Sequence, residues 1–191
     1  MRKKGKLFII SGPSGSGKTT LYRRLLDENK SLVKTVSITT RPRRSTEKHG
    51  RDYFFVSPPM FNYKRARGHF LEWQKVFDNF YGTPKNQVKD FLKRGKDVLL
   101  CIDVKGAKVV CRKFPQTVKI FIKTPTFDIL KKRLFGRKSE VDESLELRLK
   151  VARQELREAK FYDYVIVNDN LDHAYQRLRS IVCKELQKIS P

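Results

Sequence analysis

The amino-acid sequence predicts a three-layer α/β protein in which a central parallel sheet lies between helices. Short apolar runs bounded by charged or glycine residues predict strands that are buried on both faces, at Leu7 to Ile10, Val98 to Ile102, Val118 to Ile122 and Tyr164 to Val167. Helical patterns follow several of these runs, and strands that alternate with helices pair in parallel. A glycine-rich turn connects the first strand to the first predicted helix, Thr19 to Leu26.

A longer amphipathic helix is predicted between Glu143 and Lys160. Its apolar residues recur at steps of three and four and define one face, formed by Leu145, Leu149, Ala152, Leu156 and Ala159. Ser139 or Asp142 can cap the start of this helix. A break from Gly136 to Asp142 therefore separates it from the helical pattern before it.

The segment from Ser37 to about Lys93 interrupts the alternation of strands and helices. It is rich in Arg, Tyr, Phe, Gly and Pro, and it contains short strand-like pieces at residues 52–56 and 70–74. We interpret it as an insertion over the sheet. The length of 191 residues suits one domain, and no internal repeat or linker indicates a second.

The chain is strongly basic, with a formal net charge of +23. A field of that sign attracts phosphates, nucleotides and nucleic acids alike. Because Lys and Arg are spread along the whole chain, we interpret most of them as solvated surface. Nucleic-acid binding is therefore not expected to be the main role.

The distribution of apolar and cysteine residues bears on the location of the protein. No apolar run approaches the roughly 20 residues that span a bilayer, and the basic start does not resemble a signal peptide. Cys101, Cys111 and Cys183 form no CxxC pair, and the three histidines lack metal-ligand spacing. We therefore expect reduced thiols, a cytoplasmic location and no membrane partner.

The segment from Gly12 to Thr19 fits the phosphate-binding pattern G-x-x-x-x-G-K-[ST] between a buried strand and a helix. Backbone N–H groups of such a turn point at phosphate oxygens, and the helix N-terminus adds positive potential. Lys18 can reach the β and γ phosphates, and the Thr19 hydroxyl can ligate Mg²⁺. Asp103, which follows a predicted strand, can hold Mg²⁺ through water or reach an acceptor nucleotide. The predicted ATP-binding residues of this segment are Gly12, Ser14, Gly15, Ser16, Gly17, Lys18, Thr19 and Thr20.

Four motifs of the insertion resemble, in order, the GMP-site motifs of the guanylate kinase family. They are Ser37 to Arg44, Gly50 to Phe55, Phe70 to Trp73, and Tyr81 to Pro84. With Gly12 to Thr20, Ile102 to Val104 and Arg133 to Arg148, the resemblance covers nearly the entire chain. It implies a single P-loop domain with a core at about 1–36, 96–125 and 161–191, a GMP-binding insertion at about 37–95 and a helical lid at about 126–160.

The resemblance implies ATP-dependent phosphorylation of GMP, and of dGMP, in purine nucleotide metabolism. The residue types suit that reaction. Arg41 and Arg44 offer planar donor forks for a monophosphate dianion, and the phenols of Tyr53 and Tyr81 add neutral hydrogen bonds.

The guanine base also finds suitable partners in these motifs. It presents N1–H and N2–H₂ as adjacent donors, which an ionised Glu72 can accept as a pair, and the hydroxyls of Ser37 and Thr83 can donate to O6. Asp103 is assigned to the same GMP site. Adenine lacks this donor pattern, so Glu72 is the predicted specificity residue.

Three arginines surround the predicted break in the lid. The family resemblance implies that Arg137 and Arg148 contact the transferring phosphates, and that Arg133 and Asn168 lie on the adenine side. Such a transfer needs alignment and charge neutralisation more than covalent help. The predicted catalytic set is Lys18, Arg41, Arg137 and Arg148.

Two residues depart from the family pattern. Lys105 stands where most family members carry glutamine, and Cys101 stands where an acidic or apolar residue is common. Lys105 can assist at the γ phosphate, or it can pair with Asp103 and weaken Mg²⁺ binding; both remain open.

Three other functions are compatible with parts of the sequence: a kinase for another nucleoside monophosphate, a catalytically inactive guanylate-kinase-like module that binds proteins, and a nucleic-acid-binding protein. The complete set of predicted ATP and GMP residues favours the enzyme. The oligomeric state, monomer or homodimer, stays open.

Overall fold

A computed structural model describes residues 4–136 and 145–188 of the chain. Its strands are β1 Leu7–Ser11, β2 Leu32–Lys34, β3 Ile38–Thr39, β4 Phe54–Phe55, β5 Phe70–Val76, β6 Asn79–Pro84, β7 Asp97–Cys101, β8 Val118–Lys123 and β9 Tyr164–Val167. Its helices are α1 Lys18–Glu28, α2 Pro58–Ala66, α3 Lys85–Lys93, α4 Val104–Lys113, α5 Phe127–Phe135, α6 Leu145–Arg157 and α7 Leu171–Gln187, with a 3₁₀ turn at Glu158–Phe161.

Five of the strands form a parallel sheet in the order β2-β7-β1-β8-β9. Because side chains alternate along a strand, β1 contributes apolar side chains to both faces of this sheet. Phe8 and Ile10 pack in one cluster with residues of α1 and α7, and Leu7 and Ile9 pack in a second with residues of α3 and α4. The predicted three-layer α/β fold with a central parallel sheet is confirmed.

The insertion has a sheet of its own, in the order β4-β3-β6-β5. Strand β6 pairs antiparallel with β3 and β5, and β3 pairs parallel with β4. Helix α2 closes this sheet through Phe61, whose ring stacks on Phe70 at 4.5 Å and on Phe80 at 5.3 Å between centroids. The insertion therefore holds its strands in place with a separate apolar core.

Helices α5 and α6 pack on each other through Leu130, Leu134 and Ala152. The predicted amphipathic helix corresponds to α6 and the 3₁₀ turn that follows it. Its residue Leu156 also packs against the main core. The predicted caps Ser139 and Asp142 lie outside the described residues. Within the described ranges, no helix is both long and apolar enough to cross a membrane.

Candidate nucleotide-binding site

The loop between β1 and α1 requires glycine at positions where the backbone is left-handed. Gly12 has φ +142°, and a Cβ there would lie 2.0 Å from the carbonyl oxygen of Ile122. Gly15 and Gly17 have φ +85° and +91°, and Gly17 precedes the first turn of α1 without a side-chain cap. This geometry turns backbone N–H groups toward one side of the loop, where an anion can bind.

The side chains of this loop are arranged for a polar ligand. Lys18 Nζ donates to the carbonyl oxygens of Gly12 at 2.6 Å and Pro13 at 2.9 Å, so its ammonium group lies across the loop. The Ser16 hydroxyl is buried and finds no hydrogen-bond partner among residues 4–136 and 145–188. Ser14, Thr19 and Thr20 are exposed. The predicted residues of the phosphate cradle thus lie together.

Two further predicted ATP residues contact this loop from other elements. Asn168, at the end of β9, is buried and donates through Nδ2 to the carbonyl oxygen of Ser16 at 2.8 Å. Arg133, on α5, donates to the carbonyl oxygen of Asn168 at 3.3 Å. Arg148 lies on α6 and is buried, whereas Arg137 falls outside the described residues.

The predicted phosphate socket of the acceptor is assembled around a carboxylate that the sequence analysis missed. Glu47 accepts two hydrogen bonds from Arg41 Nη2, at 2.7 and 3.0 Å, and one from the backbone N–H of Arg44 at 3.0 Å. Burial opposes the charge of Arg41, but the hydrogen bonds to Glu47 outweigh this and raise its pKa. Glu47 therefore keeps the Arg41 fork charged and oriented. Its position three residues after Arg44 gave no signal of this role.

The two predicted phenols lie beside this fork. The ring centroids of Tyr53 and Tyr81 are 6.0 Å apart, and the Arg41 guanidinium is 5.7 Å from the Tyr53 ring. Burial raises the pKa of Tyr53, so its hydroxyl stays neutral and remains a hydrogen-bond donor. The structure therefore brings Arg41, Tyr53 and Tyr81 close together, and the backbone of Arg44 joins them through Glu47.

The predicted guanine-recognition residue, Glu72, is buried on β5 with only 6% of its surface exposed. Thr83, on the neighbouring strand β6, donates its hydroxyl hydrogen to Glu72 Oε1 at 2.5 Å. Burial raises the pKa of Glu72 to about 7, and the hydrogen bond from Thr83 limits the rise. The Thr83 hydroxyl is thus engaged with Glu72 instead of being directed at a base, while Ser37 lies at the start of the adjacent strand β3.

Asp103 connects the two halves of the site. It follows β7, caps α4 by accepting a hydrogen bond from the Gly106 N–H at 2.7 Å, and has its pKa raised by burial. A Cβ at Gly106 would lie 2.6 Å from Glu72 Oε2 and 3.5 Å from Asp103 Oδ1. Lys105 is exposed and forms no ion pair with Asp103 within the described part of the chain.

Glu155 is a second carboxylate that the sequence analysis missed. It lies on α6, and burial raises its pKa to about 7, with Lys18 and Asp103 among the charges that act on it. A signal for it was present, because Glu155 stands three residues after Ala152 and directly before Leu156, beside the predicted apolar face of the helix. No group of three or more His, Cys, Asp or Glu residues suited to a metal occurs in the described ranges.

Comparisons with known proteins point to one family. The family model for guanylate kinase matches residues 4–185. A guanylate kinase of Syntrophomonas wolfei is 46% identical over 189 residues, which is 99% of this chain and 97% of that protein. One of Dechloromonas aromatica is 45% identical over 93% of this chain and 88% of its own length. The crystal structure of guanylate kinase from Anaplasma phagocytophilum superposes with a TM-score of 0.82 at 34% identity, covering 98% of this chain and 89% of that one.

Proposed function

This chain belongs to the guanylate kinase family, and from that membership we propose how its residues carry out the transfer of a phosphoryl group from ATP to GMP. The chain is an enzyme, and its substrates are ATP and GMP. The products are ADP and GDP. The observation that carries the assignment of the acceptor site is the buried Glu72–Thr83 pair on the same small sheet as the phosphate socket.

The strand β6 sets the spacing between the two ends of GMP. Tyr81 and Thr83 are two residues apart on this strand, so their side chains point to the same face at a separation of about 7 Å. Thr83 is joined to the guanine-recognising carboxylate, and Tyr81 belongs to the phosphate socket. A purine monophosphate that lies along β6 therefore meets a carboxylate at its base and two guanidinium forks at its phosphate.

Selectivity for guanine follows from the burial of Glu72. A desolvated carboxylate gains strongly from the paired N1–H and N2–H donors of guanine and is left unpaired by adenine. A site whose buried acceptor must be paired by such donors rejects a base that lacks them by a factor on the order of 10⁴. dGMP keeps the same base and is proposed as a second acceptor.

The transfer itself depends on alignment and charge. The attacking group is a phosphate oxygen of GMP, so no side chain must first remove a proton from carbon or hydroxyl. Lys18, and the arginines Arg41 and Arg148, supply positive charge where negative charge builds up on the transferring group. Arg137 is proposed to join Arg148 in this role.

The donor side fits ATP with Mg²⁺. The cradle offers backbone N–H groups and a buried hydroxyl at Ser16 with no protein partner within the described residues, which suits a polyphosphate. Thr19 and Asp103 provide oxygen atoms, the ligand type that Mg²⁺ prefers, and they would hold the ion directly or through water. When bound, Mg²⁺ would neutralise negative charge on the triphosphate. The cytoplasm, which supplies both nucleotides, is the proposed location.

Steady-state kinetics with ATP, Mg²⁺ and a panel of GMP, dGMP, AMP, UMP and CMP tests this function. GMP and dGMP should give ADP release, and AMP should be lower in kcat/KM by about 10⁴-fold. Equal rates with AMP would contradict the role of Glu72. An absence of GMP-dependent ADP release would contradict the proposed reaction as a whole.

A further inference from the structure

Lys34 is a cation close to the acceptor site to which the family motifs assign no role. It is the last residue of β2, the edge strand of the main sheet, and it pairs in register with Leu99 of β7. In parallel sheets, ligands bind at the carboxyl ends of the strands. Lys34 and Cys101 both lie at those ends, on adjacent strands.

The ammonium group of Lys34 is packed against aromatic rings. Its Nζ lies 5.4 Å from the centroid of Tyr22 and 6.0 Å from that of Tyr53. The side chain is half-buried, and this burial lowers the pKa of its ammonium group. Across residues 4–136 and 145–188, Lys34 Nζ makes neither a hydrogen bond nor an ion pair.

The charged groups that face Lys34 do not neutralise it. Asp52 is the carboxylate whose charge acts on Lys34, but it already pairs with Arg23 at 2.6 Å and with Arg51 at 2.7 Å. Cys101 also faces Lys34, and burial raises the pKa of its thiol, so this side chain is neutral. A half-buried cation without a counter-ion loses part of its hydration, and its environment therefore favours an anionic ligand.

Lys34 lies near α1, the helix that follows the phosphate cradle, and near the phosphate socket. Tyr53, whose ring it approaches, is also 5.7 Å from the Arg41 guanidinium. On the other side, the Cys101 thiol lies within electrostatic reach of both Lys34 and Lys18. The ammonium group therefore lies beside the predicted phosphate socket and close to α1, the helix that follows the phosphate cradle.

We propose that Lys34 binds the monophosphate of GMP directly, as a third cation beside Arg41 and Arg44. This inference rests on the proposed function. A compact ammonium group suits a single phosphate oxygen that the planar guanidinium forks leave exposed. The neutral Cys101 contributes by leaving the charge of Lys34 available, because an acidic side chain at that position would pair with it.

Substitution of Lys34 separates this role from the general effect of charge. Lys34→Met keeps the length and apolar stem but removes the charge, and should lower kcat/KM for GMP by about 10- to 100-fold with the KM for ATP within about twofold. Lys34→Arg keeps the charge and should retain most of the activity. Lys30→Met is the matched control, because it removes one exposed cation from the turn before β2 and should leave both KM values unchanged.

A second measurement distinguishes contact with substrate from a merely structural role. The phosphate of bound GMP can be titrated by ³¹P NMR, and a neighbouring cation lowers its second pKa. The pKa of bound GMP should be higher in Lys34→Met than in the unsubstituted protein and in Lys30→Met. A structural effect alone would lower the melting temperature without moving this titration.

The outcomes are distinct. If the unsubstituted enzyme phosphorylates GMP while Lys34→Met keeps its KM for GMP within twofold and an unchanged ³¹P titration, the inference about Lys34 is wrong and the proposed function stands. If the unsubstituted protein shows no GMP-dependent turnover, the proposed function fails and the inference fails with it.

Discussion

Replacement of Glu72 by glutamine should weaken the enzyme and strengthen the fold at the same time. The carboxylate accepts the paired donors of guanine only when ionised, yet it is buried with 6% of its surface exposed. Glutamine places an N–H donor against the donors of guanine. We expect Glu72→Gln to cost about 2 to 4 kcal/mol in transition-state binding of GMP, which is roughly a 30- to 1000-fold loss of kcat/KM, while ATP binding barely changes.

The effect on stability follows from the pKa of the same group. Burial raises the pKa of Glu72 from 4.5 to about 7 in the folded protein, so proton uptake stabilises the fold fully below pH 4.5 and this contribution is lost as the pH rises through 7. At pH 8 the ionised carboxylate therefore costs up to about 3 kcal/mol. Glutamine avoids that cost. The variant should exceed the unsubstituted protein in unfolding free energy at pH 8, and the difference should shrink toward pH 4.5.

Two assays test this combination. Coupled ADP-release kinetics give kcat/KM for GMP, and urea unfolding at pH 4.5 and pH 8 gives the stability difference. Glu146→Gln, an exposed residue of α6, is the matched control and should change neither quantity. The explanation is refuted if Glu72→Gln keeps kcat/KM for GMP within threefold, or if it is less stable than the unsubstituted protein at pH 8.

Three further predictions follow from the site. Gly106→Ala would place a Cβ 2.6 Å from Glu72 Oε2, so the carboxylate must move and the KM for GMP should rise at least about tenfold. This rise is expected although alanine favours the helix by about 1 kcal/mol. An unchanged KM would show that the Glu72 side chain can shift without loss of GMP binding. Lys18→Ala removes the ammonium group held across the phosphate loop and should lower kcat by about 10³-fold or more, with GMP still binding in equilibrium titrations; near-normal turnover would contradict the donor-site assignment. Because only the ionised form of Glu72 accepts guanine, the KM for GMP should rise as the pH falls below about 7. In Glu72→Gln the same pH series should show only the smaller change that comes from the titration of the GMP phosphate.

Local patterns in the sequence predicted the glycine-rich turn and four of the five strands of the main sheet, but they missed the short edge strand β2. The apolar runs became β1, β7, β8 and β9, because a strand buried on both faces needs a continuous apolar stretch. The turn from Gly12 to Gly17 formed as expected, because its glycines alone tolerate the backbone it requires. These features depend on neighbours close in the chain.

The features that were missed depend on contacts between distant segments. The hydrogen bond from Thr83 to Glu72 requires the antiparallel register of β5 and β6 and the irregularity between Phe70 and Glu72, which no spacing in the sequence specifies. The approach of Lys34 to Tyr53 joins the edge of the main sheet to the insertion. Such pairings are set by the tertiary fold, so motifs could propose the site residues but could not predict their mutual hydrogen bonds.

The central claim is that GMP lies along β6 with its base at Glu72 and its phosphate at the arginine socket. A crystal structure of the enzyme with bound GMP tests it most directly. We predict that the N1–H and N2–H₂ groups of guanine face the carboxylate of Glu72, and that Arg41 and Arg44 donate to the phosphate oxygens. GMP bound away from the side chains at positions 41, 44 and 72 would contradict the account.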